Sequence, residues 1–436
     1  MAKLNNAPLY NLSAVLRETG LKADTLRAWE RRFGVPSPAR TPGGHRQYSE
    51  RDIAIVQWLL ARQEEGMRIS KAVQLLDHLQ NQGQDPVAET DYPASARQSV
   101  TDWGQVSQLD DYRQAWIDAC LQFNEMKAEQ VLTQAFVLYP AELACIEVLQ
   151  KGLSEIGAMW YDGSSSVQQE HFASALALRR VHSLIAATAP PTRSEGIFVA
   201  CPPQEDHTFA PLLLTLMLRR RGMSVHYLGA NVPLDQLIDT IVQIKPKLAV
   251  FSAQQLSTAA TLLAISRVLS ESGVPVAYGG RIFNLLPQIQ SRIPGHYLGG
   301  DFTEAIETVE GLLRHVPTIP LPSAPLPEYA VTLRVFEQKR AAIIAEVFTL
   351  LPGGLIPPQI VQIACENLAS NIAAALTLGD MLLLGEEISW VTGVLQNRPQ
   401  NGIHLQMFLR FYAQATEHQL GADGRLIHVW FDTLLN

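Results

Sequence analysis

The chain has 436 residues, which is too long for one ordinary domain and predicts three or four. Its 47% hydrophobic content is enough to form folded cores, which excludes a disordered protein. The net charge of −8 excludes a polycation, yet residues 1–50 hold eight Lys and Arg against four Asp and Glu. A basic head on an acidic remainder predicts a polyanion-binding module joined to other domains.

The four cysteines lie far apart and form neither a metal-ligand spacing nor a disulfide framework. The N-terminus lacks a signal-peptide pattern, and no apolar run reaches about 18 residues without a charge. We therefore expect a protein of the reducing cytoplasm with no membrane span.

Residues 8–80 show the pattern of helices joined by tight turns. A first helix is predicted from about residue 11 to Thr19, where Gly20 can adopt the left-handed conformation of a helix end. A second helix runs from about Ala23 to Arg32, and its apolar face carries Leu26, Trp29 and Phe33.

The segment 35–48 is too rich in Pro and Gly to be helical and predicts a β-wing. Ser49 and Asp52 then begin another helix by the logic of the capping box. The second helix, with its tryptophan and paired arginines, is followed by Pro38-x-Arg40-x-x-Gly43-Gly44-x-Arg46-x-Tyr48. This combination resembles the winged-helix head of MerR-type transcription regulators.

The head carries the side chains that DNA binding needs. Arg27 and Arg31 lie four residues apart on one helix face, and guanidinium groups bind phosphates and guanine edges bidentately. The resemblance implies that the head binds a double-stranded DNA operator as part of a homo-oligomer. We expect DNA contacts from Lys22, Thr25, Arg27, Arg31, Arg32, Arg40, His45, Arg46 and Tyr48.

Beyond the head, the pattern predicts a helical section, an α/β section and a second helical section. Alternating apolar runs and helical patterns in the α/β section indicate a doubly wound, Rossmann-like parallel sheet. The predicted domains are a DNA-binding head at 1–80, a linker at 81–108, a four-helix cap at 109–192, the Rossmann-like domain at 193–315, a Pro-rich spacer at 316–328 and a mainly helical C-terminal domain at 329–436.

Glu205, Asp206 and His207 follow the apolar run 196–201, which predicts a buried strand. Open α/β sheets bind ligands at the carboxyl ends of their strands, and a nearby carboxylate can orient a metal-binding histidine. Ser252 and the pair Gly279-Gly280 end two later strand-like runs. These residues would therefore meet at one edge of the sheet.

Together these segments resemble the cobalamin-binding domain of corrinoid proteins, whose Asp/Glu-x-His-x-x-Gly loop supplies the lower cobalt ligand. The resemblance implies that His207 is this ligand, with Glu205 behind it and Asp206 in the same loop. Ser252, Gly279 and Gly280 would face the nucleotide tail. The chain departs from the family pattern at Ala210, where the loop glycine is expected, and at Gln254, where the Ser-x-Leu segment has leucine.

Trp160 precedes Glu170 and His171 by nine intervening residues, and Gly163 with three serines breaks the helical pattern between them. Trp160 should therefore end one helix, and Glu170 and His171 should lie at the start of the next. A core tryptophan and an acid that complements a helix dipole would also explain this spacing.

The order of MerR-like head, four-helix cap and cobalamin-binding domain resembles the CarH/CarA family of light-responsive repressors. That resemblance implies adenosylcobalamin between cap and sheet, with Trp160 and Glu170 holding the upper group. His171 would become the upper cobalt ligand after photolysis. The dimer or tetramer would then dissociate and release DNA.

Other interpretations remain open at this stage. Ala210 and Gln254 favour a MerR-like regulator whose α/β domain binds another small molecule or a chromophore, or senses without a corrinoid. A corrinoid enzyme or methyl carrier is a third class, although the DNA-binding head argues for a non-enzymatic regulator. Residues 329–436 fall outside the resemblance and predict a packing or dimerisation bundle, or alternatively a second ligand pocket or partner surface.

Overall fold

The chain folds as two units, residues 1–108 and 109–436. In this computed structural model the described residues are 15, 19, 21, 23–40, 46–64, 67, 69–81, 102–317, 322, 324–352, 356–397 and 402–435. No helix within these ranges is long and apolar enough to cross a bilayer.

The first unit has the predicted winged-helix elements. Leu26 and Trp29 are buried in its core and Phe33 is half-buried, as the apolar stripe predicts. Val15 and Thr19 are helical, whereas the rest of the predicted first helix lies outside the described residues. The elements are α1 (Ala23–Phe33), β1 (Ala39–Arg40), β2 (Arg46–Gln47), α2 (Glu50–Glu64) and α3 (Ile69–Asn81), with β1 and β2 antiparallel.

Tyr48, Ser49 and Asp52 join the wing to the helices on either side of it. Ser49 and Asp52 form the predicted cap of α2, since the Ser49 amide donates to Asp52 Oδ2 at 2.8 Å and the Asp52 amide donates to Ser49 Oγ at 3.1 Å. Tyr48, expected to contact DNA, is instead fully buried, and its hydroxyl donates to Glu30 on α1. The expectation for Tyr48 is wrong because its ring fills the core between wing and helix.

A four-helix cap forms the first part of the second unit. Its first helix starts at Asp102, inside the stretch assigned to the linker, because residues 102–108 contain no proline that would interrupt a helix. A π-helical turn, Cys145–Gln150, interrupts the third helix. The cap helices are α4 (Asp102–Leu121), α5 (Glu125–Leu138), α6 (Ala141–Ala144) continuing through the π turn into α7 (Lys151–Asp162), and α8 (Val167–Ala186).

A five-stranded parallel sheet follows the cap, in the order β4-β3-β5-β6-β7. This architecture confirms the predicted Rossmann-like fold. The strands are β3 (Gly196–Ala200), β4 (Ser224–Gly229), β5 (Leu248–Ser252), β6 (Val276–Gly279) and β7 (His296–Tyr297). The helices between and after them are α9 (Phe209–Arg220), α10 (Leu237–Ile244), α11 (Leu256–Glu271), α12 (Arg281–Leu285) and α13 (Phe302–Arg314).

The two faces of the sheet belong to two different cores. Ile197 and Val199 pack with the cap, α9 and α13, whereas Phe198 and Ala200 pack with α11 on the opposite face. This alternation along β3 follows from the two-residue period of a strand, which points successive side chains to opposite faces. The cap therefore covers one face only.

The C-terminal helices cover the other face. Helices α11 and α15 pack side by side, and one continuous core joins residues of the sheet to residues of the C-terminal helices. This finding favours the packing bundle among the alternatives open for residues 329–436. The helices are α14 (Pro327–Leu350), α15 (Pro358–Leu378), α16 (Leu384–Gln396), α17 (Gly402–Leu420) and α18 (Arg425–Leu435).

Since the sheet and the C-terminal helices share a core, a cavity in α15 should destabilise the whole second unit. Ile372 is 0% exposed and Ile363, on the same helix, is 57% exposed. We expect Ile372→Ala to lower the free energy of unfolding by about 2–5 kcal/mol, because it leaves an unfilled cavity. Ile363→Ala should change it by less than about 0.5 kcal/mol. Urea unfolding of the full chain measures both values, and equal effects would contradict the shared core.

Candidate functional site

Glu205 is the centre of the polar cluster at the carboxyl end of β3. Its carboxylate is 0% exposed and accepts hydrogen bonds at both oxygens. Oε1 lies 2.7 Å from His207 Nδ1 and accepts the His207 amide at 3.0 Å. Oε2 accepts the Gln254 amide at 2.6 Å and the Thr258 hydroxyl at 2.7 Å. The carboxylate thus joins the β3 loop to the start of α11.

Backbone contacts hold the same loop on both sides. The Asn231 amide donates to Glu205 O at 3.0 Å, and Asn231 Oδ1 accepts the Gln204 amide at 2.8 Å. On the other side, the Thr261 hydroxyl donates to Pro203 O at 2.9 Å. These bonds hold the loop that carries the histidine between β4 and α11.

Electrostatics couple the acid and the histidine. Burial raises the pKa of Glu205, but its hydrogen bonds from His207, Gln254 and Thr258 outweigh burial and leave the pKa below its usual value. The hydrogen bond to Glu205 raises the pKa of His207, against the opposing effect of desolvation. The carboxylate is therefore charged at neutral pH and stabilises a proton on Nδ1.

The imidazole itself faces outward. The His207 side chain is 62% exposed, and within the described residues its Nε2 has no hydrogen-bond partner. In the neutral imidazole that donates Nδ1–H to Glu205, Nε2 carries a free lone pair directed away from the carboxylate. Ala210 lies in the first turn of α9 with ordinary helical geometry, so its methyl group causes no backbone strain.

Gln254, which stands where the family's Ser-x-Leu segment has leucine, has a structural role. Its Nε2 donates to Ser252 Oγ at 3.1 Å, and its Oε1 accepts the Arg281 amide at 3.0 Å. The side chain thus spans from the end of β5 to the start of α12. A leucine could make neither bond.

The two glycines after β6 differ in what requires them. Gly280 has φ +120°, and a Cβ there would overlap the carbonyl oxygen of Ala253. A Cβ at Gly279 would meet only Leu298, at an ordinary 3.8 Å. The fold therefore requires glycine at 280. It does not require glycine at 279, where the lack of a side chain could instead make room for a ligand.

The cap places its polar pair as the spacing predicts. Helix α7 ends at Asp162, and α8 begins at Val167 behind the Ser166 cap, so Glu170 and His171 lie near the start of α8. Glu170 Oε1 accepts the Ser174 hydroxyl at 2.7 Å, and His171 is 76% exposed. The charge of Glu170 also acts on His207, raising the pKa of His207 as a smaller contribution after Glu205. Cap and sheet thus place these groups within electrostatic range.

Trp160 lies at the end of α7 and is half-buried. Its indole packs on Trp390 of α16, with ring centroids 5.7 Å apart and a 31° angle between the planes. Sequence spacing offered no signal for this contact, since 230 positions separate the two residues. Thr258, in α11, and Asn231, in the loop after β4, were also missed, because both lie far from the histidine in sequence.

Within the head, the structure describes few of the predicted DNA contacts. Arg32 is exposed and its guanidinium lies over the Phe33 ring at 5.5 Å, and Thr25 is half-buried on α1. The remaining predictions rest on side chains outside the described residues, namely Lys22, Arg27, Arg31, Arg40, His45 and Arg46.

The four cysteines are buried and free. Burial raises the pKa of Cys201, the one nearest the site, to about 12. Its thiol is therefore protonated at neutral pH and is a poor nucleophile or metal ligand.

Three family profiles match parts of this chain, all of them before residue 311. The profile of the MerR HTH family regulatory proteins matches residues 10–79. Two B12 binding domain profiles match residues 112–184 and 196–310.

Two curated relatives come from Myxococcus xanthus. The chain is 30% identical to the HTH-type transcriptional repressor CarH over 296 residues, which is 67% of this chain and 95% of the relative. It is 30% identical to the HTH-type transcriptional repressor CarA over 244 residues, which is 55% of this chain and 75% of that relative. Among solved structures, the Methanosarcina barkeri monomethylamine corrinoid protein covers 46% of this chain and 98% of its own, at 15% identity and a TM-score of 0.40.

The contact between Glu205 and His207 can be tested in the protein alone. Glu205→Gln removes the charge that raises the pKa of His207, so we expect that pKa to fall. Asp206→Asn is the control, because Asp206 is exposed and contributes least to the shift. NMR titration of the His207 ring measures both variants, and an unchanged pKa in Glu205→Gln would contradict the pair.

Proposed function

We propose that this chain, which belongs to the CarH family of MerR-type, cobalamin-binding transcription regulators, is a light-responsive repressor that uses adenosylcobalamin. Its family membership makes it a DNA-binding and cobalamin-binding regulator. The adenosyl form, the light response and the change of oligomer are our proposals. The observation that carries the proposed place of the cofactor is the exposed imidazole of His207, held at Nδ1 by a buried carboxylate.

The residues at the sheet edge fit a corrinoid. A neutral imidazole with Nδ1 bonded to a carboxylate is a common arrangement for a metal-binding histidine, and Nε2 is a good ligand for a late first-row metal. The fixed loop adds to the fit, because a preorganised ligand loses little conformational freedom on binding. Glycine at 279, which the fold does not require, adds a small residue where a ligand needs close approach.

We propose His207 as the lower ligand, with Glu205 holding its proton on Nδ1 and Asp206 completing the loop. Ser252, Gly279 and Gly280 would line the nucleotide tail. To leave room for the nucleotide tail, the Gln254 side chain must do one of two things. It must either remain as one wall of the binding slot or break its hydrogen bond to Ser252 Oγ.

On the cap side, Trp160 and Glu170 would hold the upper group, the first by apolar contact and the second by accepting hydrogen bonds. His171 would serve as a second imidazole, available to cobalt in the illuminated state. Its 76% exposure leaves the ring free to reorient.

Bound adenosylcobalamin would supply a cobalt–carbon bond that visible light breaks. The protein's part is to convert that event into a shift of the cap against the sheet. Cap helix α8 and sheet helix α9 pack directly together, so such a shift would alter a shared interface. An oligomer multiplies weak DNA contacts through effective concentration, so its dissociation would release DNA.

Gln254 favours a second candidate function. Its bridge from Ser252 to the Arg281 amide lies among the residues assigned to the nucleotide tail. If the bridge stays closed, the α/β domain would bind a different small molecule or chromophore, or sense without a corrinoid. Failure of the purified protein to retain colour after incubation with cobalamin would favour this alternative.

The lower-ligand assignment predicts a specific loss. We expect His207→Ala to weaken adenosylcobalamin binding and to change the visible spectrum of the loaded protein in darkness, because the imidazole ligand is gone. His226→Ala is the matched control, since His226 is an exposed histidine within β4. Titration followed by absorption spectroscopy measures both, and equal affinity and spectra in the two variants would contradict the assignment.

The light response predicts a change of assembly. Protein loaded with adenosylcobalamin in darkness should be a dimer or tetramer by light scattering and should bind DNA fragments selected in the dark. Green light should change the spectrum, reduce the mass of the species and lower DNA affinity. Protein loaded with hydroxocobalamin serves as the control and should not respond. An unchanged spectrum with undiminished DNA binding would refute the light response.

A further inference from the structure

The C-terminal helices contact the cap as well as the sheet. On the sheet side, α15 packs on α11, and Arg292 donates to Leu378 O at 2.6 Å and pairs with Asp380 at 2.9 Å. On the cap side, α16 packs on the end of α7. One group of helices therefore bridges the two parts between which the proposed cofactor lies.

The contact between α16 and the cap consists of aromatic packing, one hydrogen bond and a close approach at a glycine. Trp390 of α16 lies against Trp160, and its ring centroid is also 6.1 Å from that of Tyr161. Asn397 Nδ2 donates to Tyr161 O at 3.2 Å. At Gly393 any Cβ would overlap the Tyr161 hydroxyl. Glycine inside a helix weakens that helix, so its place at this approach is explained by the close packing of Tyr161.

The helix that carries Trp390 lies outside the regions that match known domains. The CarH relative is covered over 95% of its length by 67% of this chain, and the matched cobalamin-binding region ends at residue 310. All the C-terminal helices, including the one that carries Trp390, follow that region. The side chain that packs on Trp160 is therefore supplied by an addition to the matched domains.

We propose that Trp390 is a positioning residue that fixes the indole of Trp160 and thereby tunes how the cap accepts the upper group of the corrinoid. This inference rests on the proposed function, because it assumes that Trp160 lies against the upper group of the bound cofactor. Aromatic pairs contribute about 0.5–1.5 kcal/mol beyond the area they bury, which corresponds to about a twofold to tenfold change in an equilibrium constant. Loss of Trp390 should therefore change corrinoid preference without abolishing binding.

The contact between the indoles can be tested without cofactor. Two indoles this close couple their electronic transitions and produce an exciton couplet in far-ultraviolet circular dichroism. We expect Trp390→Phe and Trp160→Phe to remove the same couplet from the full-length protein. Gly393→Ala should weaken that couplet by displacing α16 from Tyr161. Leu382→Ala, which changes an exposed residue in the turn before α16, should leave it intact. For each tryptophan variant, the circular dichroism spectrum is subtracted from that of the unmodified protein. If the two difference spectra do not match, the contact is wrong.

The positioning role is tested by the ratio of the dissociation constants of hydroxocobalamin and adenosylcobalamin. Trp390→Ala should lower the preference for adenosylcobalamin about twofold to tenfold. Trp160→Ala should also lower this preference. The variant that carries both substitutions should lose no more of the preference than Trp160→Ala alone. Trp390→Phe should restore most of the preference, because it keeps an aromatic ring against Trp160. A thermal unfolding midpoint close to that of the unmodified protein checks that each variant is folded.

The outcomes separate the two proposals. If the unmodified protein binds both corrinoids but Trp390→Ala leaves their ratio unchanged, the positioning role is wrong and the proposed function stands. If the unmodified protein binds neither corrinoid, the proposed function is wrong, and the role of Trp390 toward the cofactor falls with it.

Discussion

The site depends on one buried carboxylate. Leaving a charge unpaired in a protein interior costs several kcal/mol, so Glu205 requires the four donors that surround it. Those donors come from the His207 amide and ring, from the amide that follows β5, and from a hydroxyl of α11. Satisfying this charge fixes the loop after β3, sets the imidazole tautomer and turns Nε2 outward. The same bonds that stabilise the fold thus prepare the histidine as a ligand.

The sheet lies between two helical layers, the cap on one face and the C-terminal helices on the other. Alternate residues of β3 enter the cap core and the C-terminal core, so each layer is packed independently on its own face. Helix α16 of the second layer also reaches the cap, where Trp390 meets Trp160. A movement of the cap must therefore be accommodated at its contacts with α9 and with α16. In this chain the C-terminal helices share a core with the sheet and belong to the same unit as the cap.

Local patterns predicted much of this arrangement, and long-range contacts limited the rest. The Glu-x-His loop, the apolar runs and the capping box of α2 each depend on neighbours a few positions away, and each was predicted. The burial of Tyr48 was missed because the wing pattern does not reveal which of its residues turns inward. Gln254 was recognised as a departure, but its bridge to Arg281 depends on two strands meeting. The pairing of Trp160 with Trp390 joins helices far apart in sequence and had no local signal.

The most direct measurement is electron paramagnetic resonance of the protein loaded with cobalamin and reduced to the cobalt(II) state. A single nitrogen ligand splits the cobalt lines into triplets when it is ¹⁴N and into doublets when it is ¹⁵N. Protein labelled with ¹⁵N-histidine and given unlabelled cobalamin should show doublets, which the His207→Ala variant should lose. Triplets in the labelled protein would mean that the cofactor's own base is the ligand, and would contradict the role of His207.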